Sequence, residues 1–226
     1  MNLENLFYHC CLLIKTDCVG CGSLLPTESG LCRKCNNQLS NYKKNSQLPA
    51  DTISLYSWKP QVSDLISSYV YYLKSPFSMP AWSVISKELV RSCSLKYDHL
   101  KTLIIPIPSS TGRNHSLYFA KNLSKLTNRP YKQVLSYVKT DESDQSQKHK
   151  NKLERAKQSF TIDEKFTDIL LSYQCIIFVD DIITTGATYT AAQRAIKQHL
   201  ARLQPTEDVQ FVLWTAFARE KTETRC

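Results

Sequence analysis

The sequence predicts an α/β fold in which a parallel sheet is flanked by helices, with a small four-cysteine module at its N-terminal end. Three observations predict it. Short apolar runs at Thr102–Ile107, Ile176–Val179 and Val209–Ala216 alternate with stretches of helical spacing, the pattern of strands joined by crossover helices. Ile176–Val179 is apolar at every position, as suits a strand buried on both faces of a parallel sheet. In front of these elements stand two CxxC pairs separated by ten residues, Cys18-Val-Gly-Cys21 and Cys32-Arg-Lys-Cys35.

Each CxxC forms a tight knuckle that aims two thiolates at one point, and two knuckles complete a tetrahedral sulfur site. Gly20 and Gly22 give the first knuckle backbone freedom. Nine cysteines is an odd count, which suits a metal site better than a disulfide framework, and cytosolic chains keep their thiols reduced. Cys18, Cys21, Cys32 and Cys35 are therefore the expected ligands of one structural Zn²⁺, with all four positions closed by protein. Cys10, Cys11, Cys93 and Cys175 have no partner at metal spacing and read as small hydrophobes. Cys226 is terminal and uninformative.

Beyond the module (1–46), Leu48–Tyr56 reads as a short linker and strand. Apolar residues at 62, 65, 66, 69, 70 and 73 fall on one helical face. A second helical pattern covers Trp82–Cys93, with Pro80 just before it and Val84, Ile85 and Leu89 inward. These helices make 47–98 a cap segment between the module and a core at 99–226. In that core, the strand Thr102–Ile107 runs into Pro106-Ile-Pro108-Ser-Ser-Thr-Gly112, and helical spacing follows from Leu117 to Leu126. Tyr131–Val138 and Ser159–Ile162 are strand candidates. Between them, Lys139–Lys157 is polar, charged and without periodicity, and reads as a mobile loop. The last elements are the strand Ile176–Val179, a helix over Tyr189–Leu200 and the strand Val209–Ala216.

Ile176–Thr190 carries the most chemistry. The apolar run stops at Asp180 and Asp181, and Thr184-Thr185-Gly186-Ala187-Thr188 precedes the helix. Ligands of open α/β sheets bind at the carboxyl ends of strands. The N–H groups and hydroxyls of such a loop can wrap a phosphate, and the helix start adds a favourable dipole. Gly186 lets the backbone approach the anion without a Cβ in the way. Two carboxylates repel a phosphate, so they must meet something neutral or cationic in the same ligand: sugar hydroxyls or a bound Mg²⁺. The plainer reading of the same residues is an Asp-Asp turn and an ordinary strand-to-helix connection.

This combination resembles the phosphoribosyl pyrophosphate (PRPP) signature of type I phosphoribosyltransferases. The resemblance implies a type I phosphoribosyltransferase-like core at 99–226. It gives the ribose hydroxyls to Asp180 and Asp181, and the 5′-phosphate to Thr184, Thr185, Gly186, Ala187 and Thr188. Together with the cysteine module, Tyr56…Leu65-Ile66…Leu73-Lys74, Pro106-Ile-Pro108, Gln147 and Arg155, it makes a pattern that resembles the ComF family over nearly the whole chain, strongly at the cysteine pairs and the PRPP motif and loosely between them. Those are bacterial proteins associated with natural competence, acting in the cytoplasm on incoming single-stranded transforming DNA. The resemblance implies PRPP with Mg²⁺ as ligand. It implies single-stranded DNA, and competence proteins at the inner membrane face, as partners.

For a transferase, the resemblance further implies a nucleophile displacing pyrophosphate at ribose C1. The loop after Ile107 (Ser109, Ser110, Arg113) would grip the leaving group, and Lys148, Lys150, Lys152 and Arg155 would close over it. For any single one of these lysines, plain solubility is the simpler reading. The chain departs from the family at Gly112-Arg-Asn-His-Ser116 and at Lys152-Leu-Glu-Arg155-Ala-Lys157-Gln-Ser-Phe160, both on the pyrophosphate side. No His or carboxylate identifies itself as a base, and nothing names an acceptor.

Charge is concentrated in one stretch. Residues 101–160 carry 12 basic and 4 acidic side chains, whereas 161–226 carry 7 and 9. A local excess of this kind attracts polyanions such as single-stranded DNA, and it equally suits a solvated lysine-rich surface. The alternatives to a competence role are a nucleobase-salvage phosphoribosyltransferase and a PRPP-sensing regulator that binds nucleic acid. No apolar run has the length of a transmembrane segment. The N-terminus has Glu4 and no basic flank, so the expected location is cytoplasmic.

Overall fold

The computed structural model describes residues 17–24, 27–42, 51–58, 64–92, 100–109, 111–138, 160–202 and 209–219. In chain order, helix α1 (Arg33–Ser40) closes the cysteine segment and strand β1 (Thr52–Trp58) follows. Helices α2 (Asp64–Leu73) and α3 (Met79–Ser92), strand β2 (Thr102–Pro106) and helix α4 (His115–Thr127) come next. The short strands β3 (Leu135–Tyr137) and β4 (Phe160–Ile162) precede α5 (Thr167–Leu171), β5 (Cys175–Ile183), α6 (Ala187–Ala201) and β6 (Gln210–Arg219).

Four of the strands form one parallel sheet in the order β1-β6-β5-β2. Alternation along β5 sends side chains to both faces. Ile176 and Phe178 pack with Leu103, Ile105 and Leu213 beneath Ala192, Ile196 and Leu200 of α6. Ile177 and Val179 pack with Val212 and Trp214 beneath Ile66, Trp82 and Phe119 of α2, α3 and α4. A parallel sheet flanked by helices is thus what the sequence predicted. The segment 47–98, read as a helical cap, supplies the edge strand β1 as well as two of the covering helices.

The expected helices are present, and α3, α4 and α6 begin two to three residues before the apolar spacing does. The first turns of α4 and α6 hold polar or small residues, His115 and Ser116 in one and Ala187 and Thr188 in the other, which carry no apolar period even where they are buried. The strand expected over Tyr131–Val138 is divided. Tyr131 bridges to Ile104 on the outer edge of β2, with Ile104 N–H donating to Pro130 O and Lys132 N–H to Ile104 O. Leu135–Tyr137 instead pairs antiparallel with β4. Two short helices, α1 and α5, were not legible; each buries few apolar residues. The loop read over 139–157 lies outside the described residues, as do Cys10, Cys11, Cys93 and Cys226.

The largest departure concerns the acids. The strand expected to stop at Val179 continues through Asp180 and Asp181 to Ile183 because β6 runs alongside it to Ala218. The ladder nevertheless skips a rung at this point. Asp180 pairs with Thr215 and Ile182 with Phe217, but Asp181 and Ala216 are not paired, and neither are Leu55 and Ala216 on the far side of β6. The offset is the same before and after, so β1, β6 and β5 distort together rather than one bulging past another. Two hydroxyls stabilise this kink locally: Ser54 Oγ donates to Tyr56 O (2.9 Å) and Thr215 Oγ1 to Phe217 O (3.1 Å). Beyond the kink, Ile182 packs on the α2–α4 face and Ile183 on the α6 face.

Candidate functional site

The cysteine segment folds as two knuckles. Gly22 takes a left-handed backbone (φ 71°) just after Cys21, and Cys18 O accepts the Gly22 N–H at 2.8 Å. Gly20 is needed for its lack of a side chain, since a Cβ there would collide with Leu65 Cδ1 on α2. The Sγ atoms of Cys18, Cys21, Cys32 and Cys35 all lie within 4.8 Å of one another, and those of Cys21 and Cys32 are 3.7 Å apart. A tetrahedron with Zn–S bonds of ~2.3 Å has sulfur–sulfur edges of about 3.8 Å, so the spacing fits that ion. Cys32 N–H donates to Cys18 Sγ (3.2 Å), as a thiolate ligand would accept it. Burial and the neighbouring thiols push Cys35 up to about 12, while hydrogen bonding pulls Cys32 down to about 6. Without a cation, the four sulfurs cannot all be thiolates. Cys175, read as a small hydrophobe, is fully buried in β5.

The second site lies where β5 and β2 end. Ile107 N–H donates to Val179 O (2.9 Å), which brings the β2–α4 loop beside the acids. Ser116 Oγ donates to Ile107 O (2.6 Å) and ties the start of α4 to the end of β2. In this loop Ser109 Oγ pairs with Thr111 Oγ1 at 2.9 Å, and Arg113 is exposed. On the β5–α6 side, Thr184 and Thr185 are exposed and Gly186 is left-handed (φ 77°) at the N-cap of α6. Ala187 N–H donates to Thr185 Oγ1 (3.3 Å), and Gly186 O accepts from Thr190 N–H (2.9 Å). Ala187 and Thr188 open the helix, so a small hydroxyl-bearing loop and a helix N-terminus stand beyond the acids. Ser110, Lys148, Lys150, Lys152 and Arg155 lie outside the described residues.

The two acids are not equivalent. Asp181 is buried, with Lys74 Nζ 3.1 Å from Oδ2 and His115 Nε2 3.6 Å from Oδ1. Burial works against its ionisation, but His115 and Lys74 outweigh that and hold the carboxyl below the usual range. Asp180 is partly exposed, and its Oδ1 accepts the Asp181 N–H at 2.8 Å. Burial, reinforced by the charge of Asp181, raises its carboxyl well above the usual range. His115 is pulled below its ordinary value, first by burial and then by Lys74 and Arg113, against the opposing pull of Asp181. At this edge Asp181 is matched by Lys74 and His115, while the fold disfavours ionisation of Asp180 beside it. That arrangement lessens the repulsion that two bare carboxylates would impose on a phosphate.

Sequence reasoning did not assign Lys74 or His115 to the site. Signals were available: Lys74 belongs to the Leu73-Lys74 match and is the only charged side chain in 65–86, and His115 falls in the Gly112–Ser116 segment placed on the pyrophosphate side. That both converge on Asp181 is decided by the fold, which brings the start of α4 against β5.

No family model matches the chain, and no curated protein matches it. Among solved structures, an adenine phosphoribosyltransferase is similar at 13% identity over 81% of this chain and 89% of that one, with a TM-score of 0.35. Adenine phosphoribosyltransferase from Leishmania donovani is similar at 12% identity over 90% and 89%, also with a TM-score of 0.35. At that distance neither likeness bears on ligand or acceptor.

Proposed function

We propose that the chain is a PRPP-binding protein of phosphoribosyltransferase type, whose ligand lies across the carboxyl ends of β5 and β2. One observation carries the reading: Asp180 stands at the partly exposed end of β5, followed by the Thr184–Thr188 loop and the N-terminus of α6. Asp180 would meet ribose hydroxyls, the loop the 5′-phosphate, and the β2–α4 loop with Arg113 the diphosphate. Ligand atoms of His115, Asp180 and Asp181 lie within 4.8 Å of one another, a spacing a cation could use. Lys74 already occupies that role at Asp181, however, with its ammonium 3.1 Å from Oδ2, where a metal would have to displace it. These residues do not make a direct Mg²⁺ site. The ion implied with PRPP would be held by the ligand's own oxygens.

The same reading gives Cys18, Cys21, Cys32 and Cys35 one structural Zn²⁺ and places the protein in the cytoplasm. It also extends to natural competence, with single-stranded DNA met by the basic 101–160 stretch and competence proteins at the inner membrane face as partners. Support for the DNA contact is electrostatic: residues 100–138 hold six basic side chains and no acidic one. Calorimetry with PRPP and ribose 5-phosphate tests the ligand. The wild-type chain binds both, and Asp180→Ala weakens both by about tenfold or more, the loss expected for a charged or hydroxyl-directed hydrogen bond. Unchanged affinity in that variant would remove the assignment. Pyrophosphate release with one nucleobase would favour the salvage enzyme. Binding of single-stranded DNA that falls with salt, at a log–log slope of about −0.7 per neutralised phosphate, would favour the competence role.

A further inference from the structure

Lys74 is held in place to an extent that a surface lysine does not require. It follows the last turn of α2, and the carbonyl just before it, Leu73 O, accepts from both Ser78 Oγ (2.8 Å) and Trp82 Nε1 (3.0 Å). Trp82 is fully buried, and the single Ser78 hydroxyl proton lies between Leu73 O and Ser75 O, both 2.8 Å from Oγ. Lys74 N–H donates to Tyr71 O, so the turn is fixed on both sides of the residue. Its ammonium then reaches across to Asp181 and forms an ion pair with Oδ2 at 3.1 Å. The side chain remains 31% exposed, so it is not sealed off by the ion pair, and an ammonium has three donors to share. Asp181, by contrast, is buried with a second partner, His115, on its other oxygen.

We propose that the two neighbouring acids do different work: Asp180 meets the ligand, and Asp181 is a positioning residue that holds Lys74 where it contacts the diphosphate oxygens of that ligand. The inference rests on the phosphoribosyl reading above. The diphosphate is chosen over the 5′-phosphate because Asp181 joins Lys74 to His115, which opens α4 beside the β2–α4 loop. The 5′-phosphate would lie at the start of α6. An ammonium bonded at once to a buried carboxylate and to a ligand phosphate gains charge-assisted hydrogen bonds without creating an uncompensated charge. The cation also arrives from the segment that precedes the core, so the site is incomplete without α2.

The test compares binding of PRPP, inorganic pyrophosphate and ribose 5-phosphate to the full chain by calorimetry. Lys74→Met should weaken PRPP and pyrophosphate by about tenfold or more while ribose 5-phosphate changes by less than about twofold, with Lys74→Arg restoring most of the loss. Lys74→Met leaves Asp181 buried with one partner fewer and could fail to fold. The pair Lys74→Gln with Asp181→Asn removes both charges together, and it should keep the wild-type melting temperature and still lose PRPP affinity by the same factor. Wild-type PRPP affinity in the folded single or double variant overturns the inference, and so does an equal loss for ribose 5-phosphate. If the wild-type chain binds neither PRPP nor ribose 5-phosphate, the phosphoribosyl reading itself falls and takes this inference with it.

Discussion

The cysteine cluster and the acid edge solve the same problem in opposite ways. Both gather groups that prefer to be anionic into a partly buried space. The cysteine cluster collects four like ligands from residues 18–35 and brings no cation of its own, so Cys35 stays protonated unless a metal arrives. Asp181 meets its cation from within the chain, at Lys74, and shares the imidazole of His115. A site that must import its cation is a stability element whose strength depends on metal. A site with an internal cation can stand ready for a ligand. The two are also physically joined, because Leu65 of α2 packs where Gly20 leaves room and the same helix ends at Leu73, just before Lys74.

The largest effect should come from removing metal. Cys18, Leu31, Cys35 and Leu39 belong to the same buried cluster as α2 and Trp214, so unfolding the knuckles uncovers one face of the sheet. Structural zinc is commonly worth on the order of 10 kcal/mol in small modules. Chelation, or Cys35→Ser, should lower the melting temperature by roughly 20 °C or more at about 2–4 °C per kcal/mol. Metal analysis and thermal denaturation check this, and an unchanged melting temperature in metal-free protein would contradict it.

The two aspartates come next. Asp181→Leu leaves Lys74 and His115 beside an apolar group and should cost about 3 kcal/mol, the low end for breaking a buried pair because Lys74 keeps access to solvent. Asp180→Asn removes a carboxyl whose ionisation the fold disfavours, and should shift stability by less than about 1 kcal/mol. Urea midpoints for the two variants measure the difference directly, and equal losses would dissolve the distinction between the acids.

The smallest expected effect is a pH dependence. His115 has its folded value below the ordinary 6.5, burial being the first cause. The unfolded chain then takes up the proton first, so the stability contribution is present above 6.5 and declines as pH falls towards the folded value. Asp181, depressed by His115 and Lys74 against burial, loses its contribution only below 3.8. Asp180 acts in the opposite sense, its raised value making ionisation costly as pH rises above 3.8. Replacing His115 by Asn should flatten the dependence just below 6.5 and leave the more acidic limb, which a pH series of urea midpoints resolves.

The order of the elements could be read before any coordinates because strand and helix periodicities are local. So could the cysteine cluster, whose ligands sit in two short knuckles close in sequence. The Thr184–Thr188 loop was equally legible, since strand, acid, glycine and helix follow one another along the chain. What the local signal could not carry was the pairing of β6 alongside β5. That pairing draws both aspartates into the strand, and the shared kink turns Ile182 to the same face as Val179. Nor could it show that the strand before α2 is the edge of the sheet, or that Lys74 and His115 converge on Asp181. Periodicity and spacing act over a few residues, whereas the partner of a buried charge is chosen by which distant elements pack together, and only the tertiary structure decides that.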